Sequence, residues 1–366
     1  MNKLLSPEIR DVVEAVHYRP AVSVIMPFNT RVSLKKELTH ALKIAADKVE
    51  KDLLKVYSDE ISNIVVKKLR TLMKHLKIES GKKSIAIYVS PTFEKIIYLD
   101  VPVQEKIVID ESFEVRDLLY SKKQMHKYLV LLLSNKESRV FLGKSESFSR
   151  IVADIPGSAD AFATGASSGR AAHFSDTSER KEILMEKFLH HIDMGLESLL
   201  KAYDLPLFVM GTDRILSHFK SSSKHAPAVV EYIAGNYEEA GVSRLKELMK
   251  TRVHDWQRKR QSELLNAIDD AADSNELAYG MSDVWAEVMS HRGRLLIVEK
   301  NYLYAAEHGG TKEEIFQQTS TQEKISVIKD AVDDVIEALL KNGGEVEFVD
   351  DDILKDYQRI ALIKYY

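Results

Sequence analysis

The side chains best placed to do chemistry sit in one stretch, Pro156–Thr177, which is rich in Gly, Ala and Ser and has no periodicity. Within it, Gly165-Ala166-Ser167-Ser168-Gly169 matches the G-x-S-x-G pattern of a hydrolase nucleophile. That pattern works when a strand enters it and a helix leaves it at once, because the strained turn presents the hydroxyl. Ala159–Thr164 does not read as a strand, and the next helical pattern starts some ten residues late. A serine hydrolase is therefore disfavoured. Gly169 is followed by Arg170 rather than by Lys and Ser or Thr, which excludes a Walker phosphate loop. The twelve His are scattered, and His190 and His191 point about 100° apart on a helix. No Cys exists to supply a thiolate zinc site. No metal and no cofactor is expected. What remains is the end of the stretch, where Arg170, His173 and Phe174 precede a capped helix start. A guanidinium and a helix N-terminus suit phosphate, while His and Phe can stack on unpaired bases. The competing reading makes Phe174 a hydrophobic staple against that helix.

Three segments of alternating strands and helices must position this stretch. In the first, Ala21–Pro27 reads as a strand, and Leu38, Leu42, Ala45, Val49 and Leu53 recur at helical steps. A break near Ser58-Asp59 starts a second helix with Ile61, Val65, Leu69 and Leu72. Ser84–Val89 and Lys95–Leu99 read as paired strands about Ser90-Pro91, and Ile107–Ile109 adds another. The second segment opens with a hairpin, Tyr128–Leu133 and Arg139–Leu142, joined through Asn135. Beyond the Gly-rich stretch, Asp176 and Glu179 form a capping box for a helix buried through Leu184, Phe188, Ile192, Leu196 and Leu199. Strand Leu205–Met210 follows, then helices to about Ser243. The third segment starts with a helix bearing His254, Arg258, Lys259 and Arg260. Helix Asp283–Ser290, strand Arg294–Val298, helix Gln322–Leu340 and strands Glu345–Val349 and Ile360–Lys364 complete it. The boundaries are 1–122, 123–243 and 244–366, with the loop at 155–180.

At 366 residues the chain exceeds one ordinary core. No secretory leader or membrane span is expected, because no apolar run is long enough. With no Cys, this fits a cytoplasmic protein. The net charge of −4 hides polarity along the chain. Between Lys35 and Lys83 there are thirteen Lys or Arg against seven acids, whereas Asp330–Asp356 carries ten acids against two Lys. The first region could lie along phosphates and the last could not.

Four stretches in order resemble the bacterial branch of the archaeal-eukaryotic peptide-release factor and Pelota family. They are YRPAVSVIMPFNTR (18–31), the run from Ser84 to Leu119, KYLVLLLSNKESRVFLGKSESFSRI (127–151) and NGGEVEFVDDDILKDYQRIALIKYY (342–366). Within that branch the chain is most similar to the Balon-like ribosome hibernation factors. The resemblance implies a three-domain α/β protein: an N-terminal domain, a central ribonuclease H-like domain, and a C-terminal α/β/α sandwich like the kink-turn-binding ribosomal proteins. Release factors of the family carry Gly-Gly-Gln on the central loop, to place water on the peptidyl-tRNA ester. Here the matching loop reads GASSGRAAHFSD, and Gly309-Gly310 and Gly343-Gly344 are followed by Thr311 and Glu345. The stop-codon motif Asn-Ile-Lys-Ser is also missing. Losing the group that positions water removes most of the catalytic advantage.

The resemblance thus implies a non-enzymatic ribosome-binding factor in the A site of idle or stalled ribosomes. Arg170, Arg180 and Lys181 would hold phosphates there, with His173 and Phe174 stacking on rRNA bases. The acidic third segment would suit a translation GTPase, and neither DNA nor a membrane is expected as partner. The alternative is a nuclease or peptidyl-tRNA hydrolase using the central segment. Such a site needs clustered carboxylates around a divalent ion. Asp154, Asp160, Asp176 and Asp213 are available, but no spacing singles them out.

Overall fold

In a computed structural model the chain is a mixed α/β protein. The structure describes residues 7–15, 19–27, 35–76, 82–123, 127–134, 138–144, 147–151, 177–203, 205–318 and 327–365. Contacts group the chain into two units, residues 1–124 with 260–366, and residues 125–259. The expected first segment and most of the third thus fall in one unit.

The N-terminal part of the first unit holds α1 (Pro7–Val13) and a four-stranded antiparallel sheet. Its strands are β1 (Ala21–Pro27), β2 (Ser84–Val89), β3 (Glu94–Leu99) and β4 (Lys106–Asp110), ordered β3-β2-β1-β4. Strand β1 is buried over its first six residues, consistent with an apolar run interrupted only by Ser23. One sheet face, through Val22, Val24, Ile85 and Ile87, packs on α2 (Lys35–Val56) and α3 (Asp59–Lys74). The helical residues there are those the periodicity marks, Leu38, Leu42, Val49, Leu53, Val65 and Leu69. Helix α4 (Arg116–Lys123) ends this part.

In the second unit a five-stranded sheet is ordered β7-β6-β5-β8-β9. Strands β5 (Lys127–Leu132), β6 (Arg139–Lys144) and β7 (Phe148–Ile151) are antiparallel neighbours, and β8 (Leu207–Gly211) and β9 (Val229–Ala234) continue from β5 in parallel. Helices α5 (Thr177–Tyr203) and α6 (Asp213–Ser222) cover one face through Phe188, Ile192, Leu196, Ile215 and Phe219. The other face, with Tyr128, Val130, Phe141 and Phe208, packs on Leu245 and Met249 of α7 (Val242–Asp273). Two sequence expectations change here. The stretch read as helices beyond Met210 contains β9, and the helix assigned to the third segment starts in this unit at Val242.

The remainder of the first unit is a sheet ordered β10-β16-β11-β15, covered on both faces. Its strands are β10 (Leu277–Tyr279), β11 (Gly293–Glu299), β15 (Glu345–Val349) and β16 (Ile360–Lys364). Helices α8 (Met281–Met289) and α9 (Ala331–Lys341) bury Val284, Trp285, Val335 and Ile336 with Leu296 and Leu362. Ile268 and Ala271 of α7 join Ile297, Ala361 and Ile363 in a separate cluster. Strands β12 (Ala306–His308), β13 (Ile315–Gln317) and β14 (Val327–Ile328) form a small antiparallel sheet. The expected helix Gln322–Leu340 therefore starts later. Val327–Ile328 is strand, and the Asp330 carboxylate caps α9 by accepting the Val332 N–H at 3.2 Å.

Candidate functional site

The five residues assigned to RNA fall between β7 and the first turns of α5. Arg170, His173 and Phe174 lie outside the described residues, as do Asp154, Asp160, Asp176 and the loop up to residue 176. Arg180 and Lys181 have helical backbone near the start of α5. Next in sequence, Glu182 stands 3.6 Å from Arg214 in the first turn of α6, so the starts of these two helices are neighbours. Asp213, the remaining candidate acid, is exposed at that helix start. Among the described residues no group of three or more His, Asp or Glu could hold a metal ion.

In the middle of α5, facing the turn after α6, stands Asp193, a buried carboxylate that the sequence reading did not single out. It accepts from the Ser223 hydroxyl, from the Lys224 N–H at 3.2 Å and from His225 Nδ1 at 2.9 Å. Burial opposes its charge, but the Ser223 and His225 hydrogen bonds outweigh it and hold the carboxyl below its usual value. Ser223 Oγ accepts from the His225 backbone N–H at 3.0 Å and donates to Asp193, so the ring does not activate the hydroxyl. The group fastens the turn after α6 to α5. It is not a nucleophile site.

The strongest electrostatics lie in the first unit. Arg116, 1% exposed, donates to the Tyr302 carbonyl and to Glu114 at 3.3 Å. Its Nη2 lies 2.7 Å from Asp330 Oδ2, an ion-pair distance without hydrogen-bond alignment. Asp333 accepts the backbone N–H groups of Val115, at 3.1 Å, and Arg116, at 2.8 Å. Lys106 stands 3.2 Å from Glu114 and 2.8 Å from Asp117. Beside them is a cavity of about 300 Å³, with Lys106, Glu114, Lys329, Asp330, Asp333 and Asp334 in its lining. Burial pushes the Asp334 carboxyl up to about 7, and the charges of Asp110, Glu337, Asp330 and Glu114 add to it. Burial also raises Asp330 and Asp333, while Arg116 opposes the shift in both. The arrangement ties residues 114–117 to α9, across more than 200 positions of sequence. A signal for it existed: Asp333 and Glu337 interrupt the apolar stripe of α9 at helical spacing, where charge costs energy unless paired.

The charge runs read from the sequence are partly neutralised in place. Arg70 pairs with Asp47 and Glu50, at 2.9 and 2.7 Å, so α2 and α3 present less free charge than the count implies. In the acidic run, Glu347 takes Lys123 and Arg260, both at 3.0 Å, and Asp350 takes Lys300 at 2.8 Å.

Residues 127–292 match the model of the Bacterial archaeo-eukaryotic release factor family 3. That match supports the bacterial branch read from the sequence over those residues. It singles out family 3 and does not single out the Balon-like group. No curated protein matches the chain. Among solved structures, similar ones include a model of ribosome-bound archaeal Pelota and ABCE1, at 11% identity over 100% of this chain and 95% of that one, TM-score 0.44. Dom34 from S. cerevisiae, a translation termination-like factor, is 13% identical over 76% of this chain and 74% of its own, TM-score 0.42. An archaeal translation termination factor is 11% identical over 97% and 95%, TM-score 0.25.

Proposed function

We propose that this chain is a ribosome-binding translation factor that occupies the A site of idle or stalled ribosomes without releasing peptide. The observation that carries the reading is a pairing. Residues 127–292 match a release-factor family, while the sequence nowhere contains Gly-Gly-Gln. A protein built on that central segment but lacking the group that orients water is better suited to binding than to ester hydrolysis. In this reading the chain has three functional parts, residues 1–122, 123–243 and 244–366. The central sheet, antiparallel through β7-β6-β5 and then parallel through β8 and β9, fits a ribonuclease H-like domain.

The roles follow from the chemistry. Residues 155–180 enter rRNA, with Arg170, Arg180 and Lys181 on phosphate and His173 and Phe174 on bases. The C-terminal part meets a translation GTPase, and the protein works in the cytoplasm. Pull-down from stationary-phase lysate tests this reading: ribosomal RNA and ribosomal proteins are recovered with the tagged chain. Recovery of neither overturns it.

A further inference from the structure

Helix α7 is sharply divided by charge. From Val242 to Lys259 it carries Arg244, Lys246, Lys250, Arg252, Arg258 and Lys259 against Glu247 and Asp255, a net of +4. From Arg260 to Asp273 one Arg faces four acids, Glu263, Asp269, Asp270 and Asp273. The unit spanning 125–259 holds nineteen Lys or Arg and seventeen acids, so its net is +2. Without the helix's basic half, that unit would be −2. This one element therefore supplies the unit's whole positive excess.

Its placement suits a partner outside the fold. Leu245 and Met249 are fully buried against the sheet and fix the helix. Arg244, Lys250 and Lys259 are exposed, and none of them forms an ion pair among the described residues. Arg252, also exposed, is held by Glu231 at 2.8 Å. From Arg244 to Lys259 the axis runs about 22 Å, long enough to pass several phosphates. A net positive stretch of helix, anchored by two buried side chains, is complementary to a polyanion, and its strength there comes from releasing condensed counterions.

We infer that the basic half of α7 is a second RNA-binding surface, which grips the ribosomal RNA backbone without reading sequence. The inference rests on the ribosome-binding reading and adds a site remote in sequence from the loop at 155–180. It is tested with the full chain and a triple variant, R244Q/K250Q/K259Q. Two measurements are made, ribosome co-sedimentation and anisotropy with purified ribosomal RNA, each over a salt series. The variant should bind RNA about tenfold or more weakly, and its slope of log affinity on log salt should fall by about 2–3. The charge-preserving variant R244K/K250R/K259R should behave like the parent. Unchanged affinity and slope in the neutral variant overturn the inference and leave ribosome binding standing. Lost ribosome binding with unchanged RNA binding also overturns it, because the helix then meets a protein. If the parent binds free RNA but not ribosomes, and the neutral variant loses that binding, the surface stands and the A-site reading fails.

Discussion

At Arg116 a guanidinium 1% exposed faces Glu114, Asp330, Asp333 and Asp117, with Lys106 as the second cation. Removing it leaves buried carboxylates uncompensated. Arg116→Ala should destabilise the protein by about 3–5 kcal/mol in denaturant unfolding. Asp334 gives the pH dependence. Its folded value of about 7 stands above the ordinary 3.8, so between those limits the folded chain holds a proton that the unfolded chain has lost. Stability is therefore fully present below pH 3.8 and falls as pH rises through 7, and the raised Asp330 and Asp333 act in the same direction. Asp334→Asn should flatten that slope and add on the order of 1–3 kcal/mol at pH 8. Unfolding midpoints across a pH series check both. The acids and basic residues of this cluster were visible in the sequence, but their meeting was not. Pairing residues 114–117 with 330–334 is a tertiary event with no local signature.

Elements were legible wherever one period dominated. The break at Ser58-Asp59, the strands flanking Ser90-Pro91 and the stripe of α5 from Phe188 to Leu199 are in the structure at the expected residues, while Leu184 is only half-buried. Strand β9 was missed because VVEYIA follows Ala226-Pro227-Ala228 and has only half-buried residues until Ile233. The start of α9 was misplaced because Ile325 and Ile328 continue a helical period by chance, whereas the Asp330 cap fixes the true start. Helix α7 shows how far packing extends. Leu245 is wholly buried on the central sheet, and Leu245→Ala should cost about 2–5 kcal/mol, read as a lower midpoint in denaturant. An exposed substitution one position away, Arg244→Gln, should shift that midpoint little.

Over the whole molecule, the resemblance was legible as four stretches in a fixed order, and the family match over 127–292 covers the third of them. Charge was harder to read, since a count along the chain cannot tell a lysine facing solvent from one held by Glu347 or Asp350. The formal positive excess of the unit spanning 125–259 sits on α7, of which the sequence marked only His254, Arg258, Lys259 and Arg260. With no Gly-Gly-Gln, the purified chain should release no peptide from stalled ribosome complexes, even at concentrations that saturate binding. The most direct test of the central claim is sedimentation of the purified full chain with vacant ribosomes at rising salt. The protein should travel with the ribosomes at low salt and fall away steeply, with affinity dropping about 10³–10⁵-fold between roughly 50 and 200 mM. A chain that stays at the top of the gradient at every salt concentration contradicts the account.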